Sequence, residues 1–134
     1  MLAIRLEATG GRETRNFGPV DRFRIHRDML EIPDNNEVAT FRDGFWRVAE
    51  ASYLMMQVEG PTWVHFESPS RRSPVYGPFD AACVLAGAIR VGKSESQHLA
   101  QRYDQSGSWR IHGENALWPT AVFTANGKHV PADP

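Results

Sequence analysis

Apolar and polar positions alternate with a period of two along much of this chain, the spacing of a half-buried β-strand. Phe23 and Ile25 alternate with Arg22, Arg24 and His26, and Glu37-Val38-Ala39-Thr40-Phe41 is rich in β-formers. The pattern predicts strands near 2–8, 20–26, 29–32, 37–42 and 45–58, the last of them bent or split. Asp34-Asn35-Asn36 and Asp43-Gly44 carry hairpin-turn chemistry between strands.

The same pattern comes round twice. Phe17-Gly18-Pro19-Val20-Asp21 recurs as Tyr76-Gly77-Pro78-Phe79-Asp80, and Gly44-Phe45-Trp46-Arg47-Val48 recurs as Gly107-Ser108-Trp109-Arg110-Ile111. Between these anchors Ile25, Leu30 and Ile32 match Val84, Ile89 and Val91. Val38-Ala39 and Asp43 match Leu99-Ala100 and Asp104. The offset grows from 59 to 63 through two small insertions, near Gly92-Lys93-Ser94 and at Gln105-Ser106. Both fall in turns, where insertions are tolerated. Upstream, Ile4, Leu6 and Glu7 match Val64, Phe66 and Glu67. We expect a repeat over about 2–58 and about 62–124, joined by Glu59-Gly60-Pro61, within one domain spanning 1–134. The register breaks once, where Phe41 faces Arg102 and Arg42 faces Tyr103. Residues 125–134 read as a flexible tail ending in Pro-Ala-Asp-Pro.

Each copy arbitrates the other. Residues 79–89 pass for a helix in isolation, but their counterpart Val20 to Leu30 alternates as a strand. Ser94-Glu95-Ser96-Gln97 resembles a helix cap, yet its counterpart is β-rich, so strand is expected there too, with a short helix near 95–103 as the competing reading. The fold class is all-β: an internally duplicated two-sheet sandwich, or a closed or partly closed barrel, of about ten short strands. The Gly-Pro pairs are expected to set chain reversals.

Composition narrows the function classes. The chain has 134 residues, 41% hydrophobic and 23% charged, which is ordinary globular usage. A net charge of −1 gives no electrostatic bias toward nucleic acid or anionic membrane, so neither is expected as a partner. No run of apolar residues is long enough for a transmembrane helix, and Arg5 and Glu7 argue against a signal peptide. Cys83 is the only cysteine, which excludes an internal disulfide and fits a reducing compartment. A bacterial-type cytoplasmic protein is the expectation.

Candidate chemistry is sparse. Trp46 and Val48 share one strand face, as do Trp109 and Ile111, and large aromatics in that setting are core. Arg12 and Arg15 precede the first Gly-Pro pair, and Arg71 and Arg72 precede the second. Guanidinium forks suit phosphate or carboxylate, so these four are candidate ligand contacts. His26, His65, His98, His112 and His129 show no ligand spacing, so no metal and no cofactor is expected. Nucleophile-elbow, phosphate-loop and dinucleotide-binding motifs are absent.

The copies differ most on one strand face. Arg22, Arg24 and His26 in the first correspond to Ala81, Cys83 and Leu85 in the second. A small apolar face of that kind is covered by a partner or by the domain itself. The leading expectation is a non-enzymatic binding or assembly module, a homo-oligomer and most simply a dimer, with Ala81, Cys83 and Leu85 at its interface. The alternative is a barrel holding a small apolar or anionic ligand. An enzyme with a dispersed site is the weaker third reading.

Overall fold

The structure is a computed structural model and describes residues 1–8, 13–33, 35–92, 97–103 and 107–127, with the backbone alone at 35–38. The described residues form strands and turns and contain no helix. The first eight strands are β1 (Leu2–Glu7), β2 (Thr14–Val20), β3 (Arg22–His26), β4 (Met29–Ile32), β5 (Asn35–Arg42), β6 (Phe45–Val48), β7 (Ala51–Tyr53) and β8 (Met55–Glu67). There follow β9 (Tyr76–Leu85), β10 (Ala88–Val91), β11 (Gln97–Arg102), β12 (Trp109–Ile111), β13 (Leu117–Trp118) and β14 (Thr120–Thr124).

All pairings are antiparallel. One continuous ladder runs β13-β12-β11-β10-β9-β8-β14-β3-β4-β5-β6-β7, and β1 branches from β8 with β2 on its far side. Among the described residues the end strands β13 and β7 do not pair with each other, so the sheet does not close into a barrel. That corrects the closed-barrel alternative.

Period-two alternation does the sorting. In β1 the apolar positions Leu2, Ile4 and Leu6 are buried, and in β3 Phe23 and Ile25 are buried between exposed arginines. These side chains join Val64, Phe66, Val84, Ile89, Ala121 and Phe123 in one hydrophobic cluster. Phe23 and Phe123, register partners across β3 and β14, stack with centroids 4.7 Å apart. Trp46 and Trp109 are each only 1% exposed, as core packing requires.

Several local expectations change. The segment 45–58 is split as expected, into β6, β7 and the start of β8, but β2 forms beside β1 where no strand was expected. Glu59-Gly60-Pro61 is not a linker. It lies inside the 13-residue strand β8, whose first part pairs with β1 and whose last part pairs with β14. The Gly-Pro pairs are not chain reversals either: Gly18-Pro19 sits within β2 and Gly77-Pro78 within β9, both as cis peptides, where the ladders shift register. Residues 97–102 are strand, held by β10 on one side and β12 on the other. Of the tail, Ala125 donates its backbone N–H to Asp21, and residues 128–134 lie outside the described residues. No helix is long and apolar enough to cross a membrane.

Candidate functional site

The middle of the sheet, strands β3, β14, β8, β9 and β10, has two unlike faces. One is the core. Alternation then places Arg22, Arg24 and His26 of β3, Thr120 and Val122 of β14, and Ala81, Cys83 and Leu85 of β9 on the opposite face.

Around β9 this outer face is apolar. Leu85 stands directly opposite Met55 of β8 and Ala88 of β10, and all three are half-buried. Cys83, between Gln57 and Arg90, is only 2% exposed, so neighbouring side chains of its own sheet already cover it. Ala81 is half-buried opposite Glu59. Gln57 and Glu59 both bind Arg5, which reaches Glu59 at 2.9 Å and Glu7 at 2.7 Å.

Around β14 the same face is polar. Thr120 lies between His26 and Glu67 in register, and its Oγ1 is 2.8 Å from His26 Nδ1. His65, 2% exposed, places Nε2 3.4 Å from Glu67 Oε2, and Arg72 Nε approaches the same oxygen at 3.3 Å. A hydroxyl within reach of an imidazole is the distance that a nucleophile and its base need. Here no third described group orients the imidazole of His26, and Glu67 is engaged by His65 and Arg72 instead. The face thus carries one hydrogen-bonded pair, His26 with Thr120, and beside it the group of Glu67 with His65 and Arg72.

Of the candidate arginines, Arg15 does not meet Arg71 and Arg72. Arg15 is opposite Leu6, which is opposite Met56 near the start of β8, whereas Arg72 bridges to Glu67 at the end of that strand. The length of β8 separates Arg15 from Arg72. Arg15 is exposed with its guanidinium 5.6 Å from the Phe17 ring centroid, and Arg71 lies 4.3 Å over Trp118. Arg12 lies outside the described residues. The Tyr76 hydroxyl donates to Glu114 at 3.3 Å. Burial, and then the Glu114 carboxylate, push the phenol above its usual 10.0.

Strand pairing also joins two histidines that sequence spacing left apart. His98 on β11 and His112 just after β12 have ring centroids 5.3 Å apart. The only available signal was the hairpin register, because the two are separated by a turn rather than by a short ligand motif. Among the described residues no group of three His, Cys, Asp or Glu side chains is placed to hold a metal ion. No protein-family model matches the chain, and no curated protein or solved structure is significantly similar to it.

Proposed function

We propose that the chain is a non-enzymatic assembly module, built from two copies of a unit of about sixty residues and working as a homodimer through the face around Ala81, Cys83 and Leu85. The duplication is supported by ladders that correspond residue for residue at the sequence offsets. Leu2↔Val20 and Ile4↔Phe17 in the first copy correspond to Thr62↔Phe79 and Val64↔Tyr76 in the second. Arg24↔Glu31 and His26↔Met29 correspond to Cys83↔Arg90 and Leu85↔Ala88. Trp46 and Trp109, equivalent at offset 63, each pair with an aromatic residue of the next strand, Tyr53 and Trp118, although these two stand at offset 65. The last strand of each copy crosses over: β14 pairs with β3, and the first part of β8 pairs with β9.

That exchange describes a pseudo-twofold axis, and it rationalises the one place where the sequence repeat breaks. Phe41 and its counterpart Arg102 meet each other, the guanidinium 5.0 Å from the Phe41 centroid, while Arg102 also pairs with Asp28. A residue on such an axis faces its own copy. Two arginines there would repel, whereas Phe with Arg gives a cation–π contact.

The observation that carries the interface is a row of matched positions. One row is Thr120, His26 and Met29 and the matched row is Met55, Leu85 and Ala88, the first residue of each supplied by the crossing strand of the other copy. The fold accommodates a threonine and a histidine where the other row has methionine and leucine, so an apolar row is no requirement of the sheet. Glu59 and Arg90 flank it on opposite sides. A twofold axis along β9 lays β8 of one copy over β10 of the other and brings these charges toward each other, with the apolar residues at the centre. The buried thiol of Cys83 fits a reducing, cytoplasmic setting.

The test is Leu85→Lys, followed by sedimentation and circular dichroism. The wild type should sediment as a dimer, and the variant as a folded monomer. A wild type that stays monomeric at every concentration overturns the reading. Unfolding of the variant, with Ala81→Arg remaining a folded dimer, assigns the face to the internal core.

A further inference from the structure

We propose that His98 and His112 form a two-histidine site for a divalent first-row transition ion, tightest for Cu²⁺. The inference stands apart from the assembly reading, since it uses neither the apolar row nor a second copy.

The β11–β12 hairpin builds the site. Ala100 pairs with Ile111, and the backbone N–H of His112 donates to the Leu99 carbonyl at 2.9 Å. The ladder slips by one residue between Ile89 and Arg90, opposite Ala100 and His98, and the two imidazoles come together at 5.3 Å with their planes 44° apart. Imidazole nitrogens bind such ions at about 2.0–2.1 Å, which puts two ring centres on one ion about 4.5–5.2 Å apart for right-angled to tetrahedral ligation. The observed spacing reaches that range with a small rotation of His112, whose side chain is exposed.

A second observation points the same way. Nε2 of His98 is buried and has no hydrogen-bond partner. A buried ring nitrogen without a partner is an exception that needs a reason, and an ion bridging it to His112 provides one. A neutral imidazole nitrogen is also the form that binds a metal. Arg90, opposite His98 in register, is exposed, so solvent screens its charge from an ion at the pair. In the first copy the matched sequence positions are Glu37 and Ala49, so the repeated fold does not call for histidines there. Two protein nitrogens leave the remaining coordination to water. Such a site is exchangeable, and it ranks ions by the intrinsic order that peaks at copper.

The test is titration of Cu²⁺ into the full chain in a non-chelating buffer near neutral pH, by calorimetry and by electron paramagnetic resonance. We expect one ion per chain with hyperfine structure from two imidazole nitrogens, and weaker binding of Zn²⁺. His98→Ala and His112→Ala should each weaken Cu²⁺ by at least about tenfold, the range seen when metal-site partners are removed. His26→Ala and His65→Gln should bind as the wild type does. Circular dichroism checks each fold, and His112→Ala, at an exposed position, carries the test if His98→Ala misfolds. Unchanged affinity in His112→Ala overturns the site, as does an equal loss in His26→Ala or the absence of stoichiometric binding by the wild type.

Discussion

The two outer faces of the central sheet share a backbone register and differ in chemistry. Around β14, Thr120 is hydrogen-bonded to His26 on one neighbouring strand, and Glu67 on the other pairs with His65 and Arg72. Around β9, Met55, Leu85 and Ala88 present methyl and methylene groups from the matched positions. On the core side the same strands agree: Phe23 and Ile25 of β3 are as buried as Ala82 and Val84 of β9. The lesson is that burial constrains the inner face to apolar residues in both halves, while the outer face is free to diverge and so records what each half does.

The largest effect should come from the feature the halves share. Trp46→Ala and Trp109→Ala each remove a ring that is 1% exposed, and each should destabilise the fold by about 3–5 kcal/mol in chemical denaturation. Similar losses sharpen the equivalence of the halves; a loss confined to one of them breaks it.

Next come the glycines of the two Gly-Pro pairs. Gly18 and Gly77 have φ of +100° and +128°, and a Cβ on either would sit 2.8 Å from a backbone oxygen, of Leu2 or of Thr62. Alanine at either site should cost about 1–3 kcal/mol, because the conformation is strained for an L side chain and the neighbour is backbone. Gly77→Ala should be the worse of the two. Its Cβ would also lie 3.1 Å from both Cα and the ring of Trp63, where Gly18 meets Val20 N at 3.3 Å and Ala3 Cα at 3.6 Å. Thermal denaturation of the two variants side by side measures the difference.

The smallest effect should come from turning one outer face into the other. Thr120→Met with His26→Leu copies the β9 row onto β14. Removing both members of a hydrogen bond in favour of apolar groups should leave stability within about 1 kcal/mol, whereas His26→Leu alone strands the Thr120 hydroxyl and costs about 1–3 kcal/mol. A double-mutant cycle reads the coupling. If the double variant is as damaged as the single, the polar row is built into this half rather than laid over it.

Much of the strand pattern was legible because alternation is a local property. Phe23 and Ile25 between arginines report a half-buried strand without reference to any other segment. The Trp46 and Trp109 positions, one face apart from Arg47 and Arg110, report burial in the same way. The strand 97–102 was legible only by comparison with its β-rich counterpart, since its own composition favours a helix. Gly18-Pro19 and Gly77-Pro78 misled because the pair is common in turns. Here the chain continues as strand on both sides of it, as strand partners on β1 and β8 dictate.

Pairing between distant segments is not written in any short window. Glu59-Gly60-Pro61 looks like a linker by composition, yet it continues a strand because β1, β9 and β14 offer backbone partners along its length. Arg15 and Arg72 stood in segments of similar residue type, and the span of β8 between their register positions keeps them apart. His98 and His112 had no ligand spacing, and a hairpin register brings their rings into contact. Alternation and residue size were enough to say which side chains are buried, because burial depends on the face a residue occupies. Which polar groups meet depends on register across strands far apart in the chain, and that is set by the collective pairing of the whole sheet.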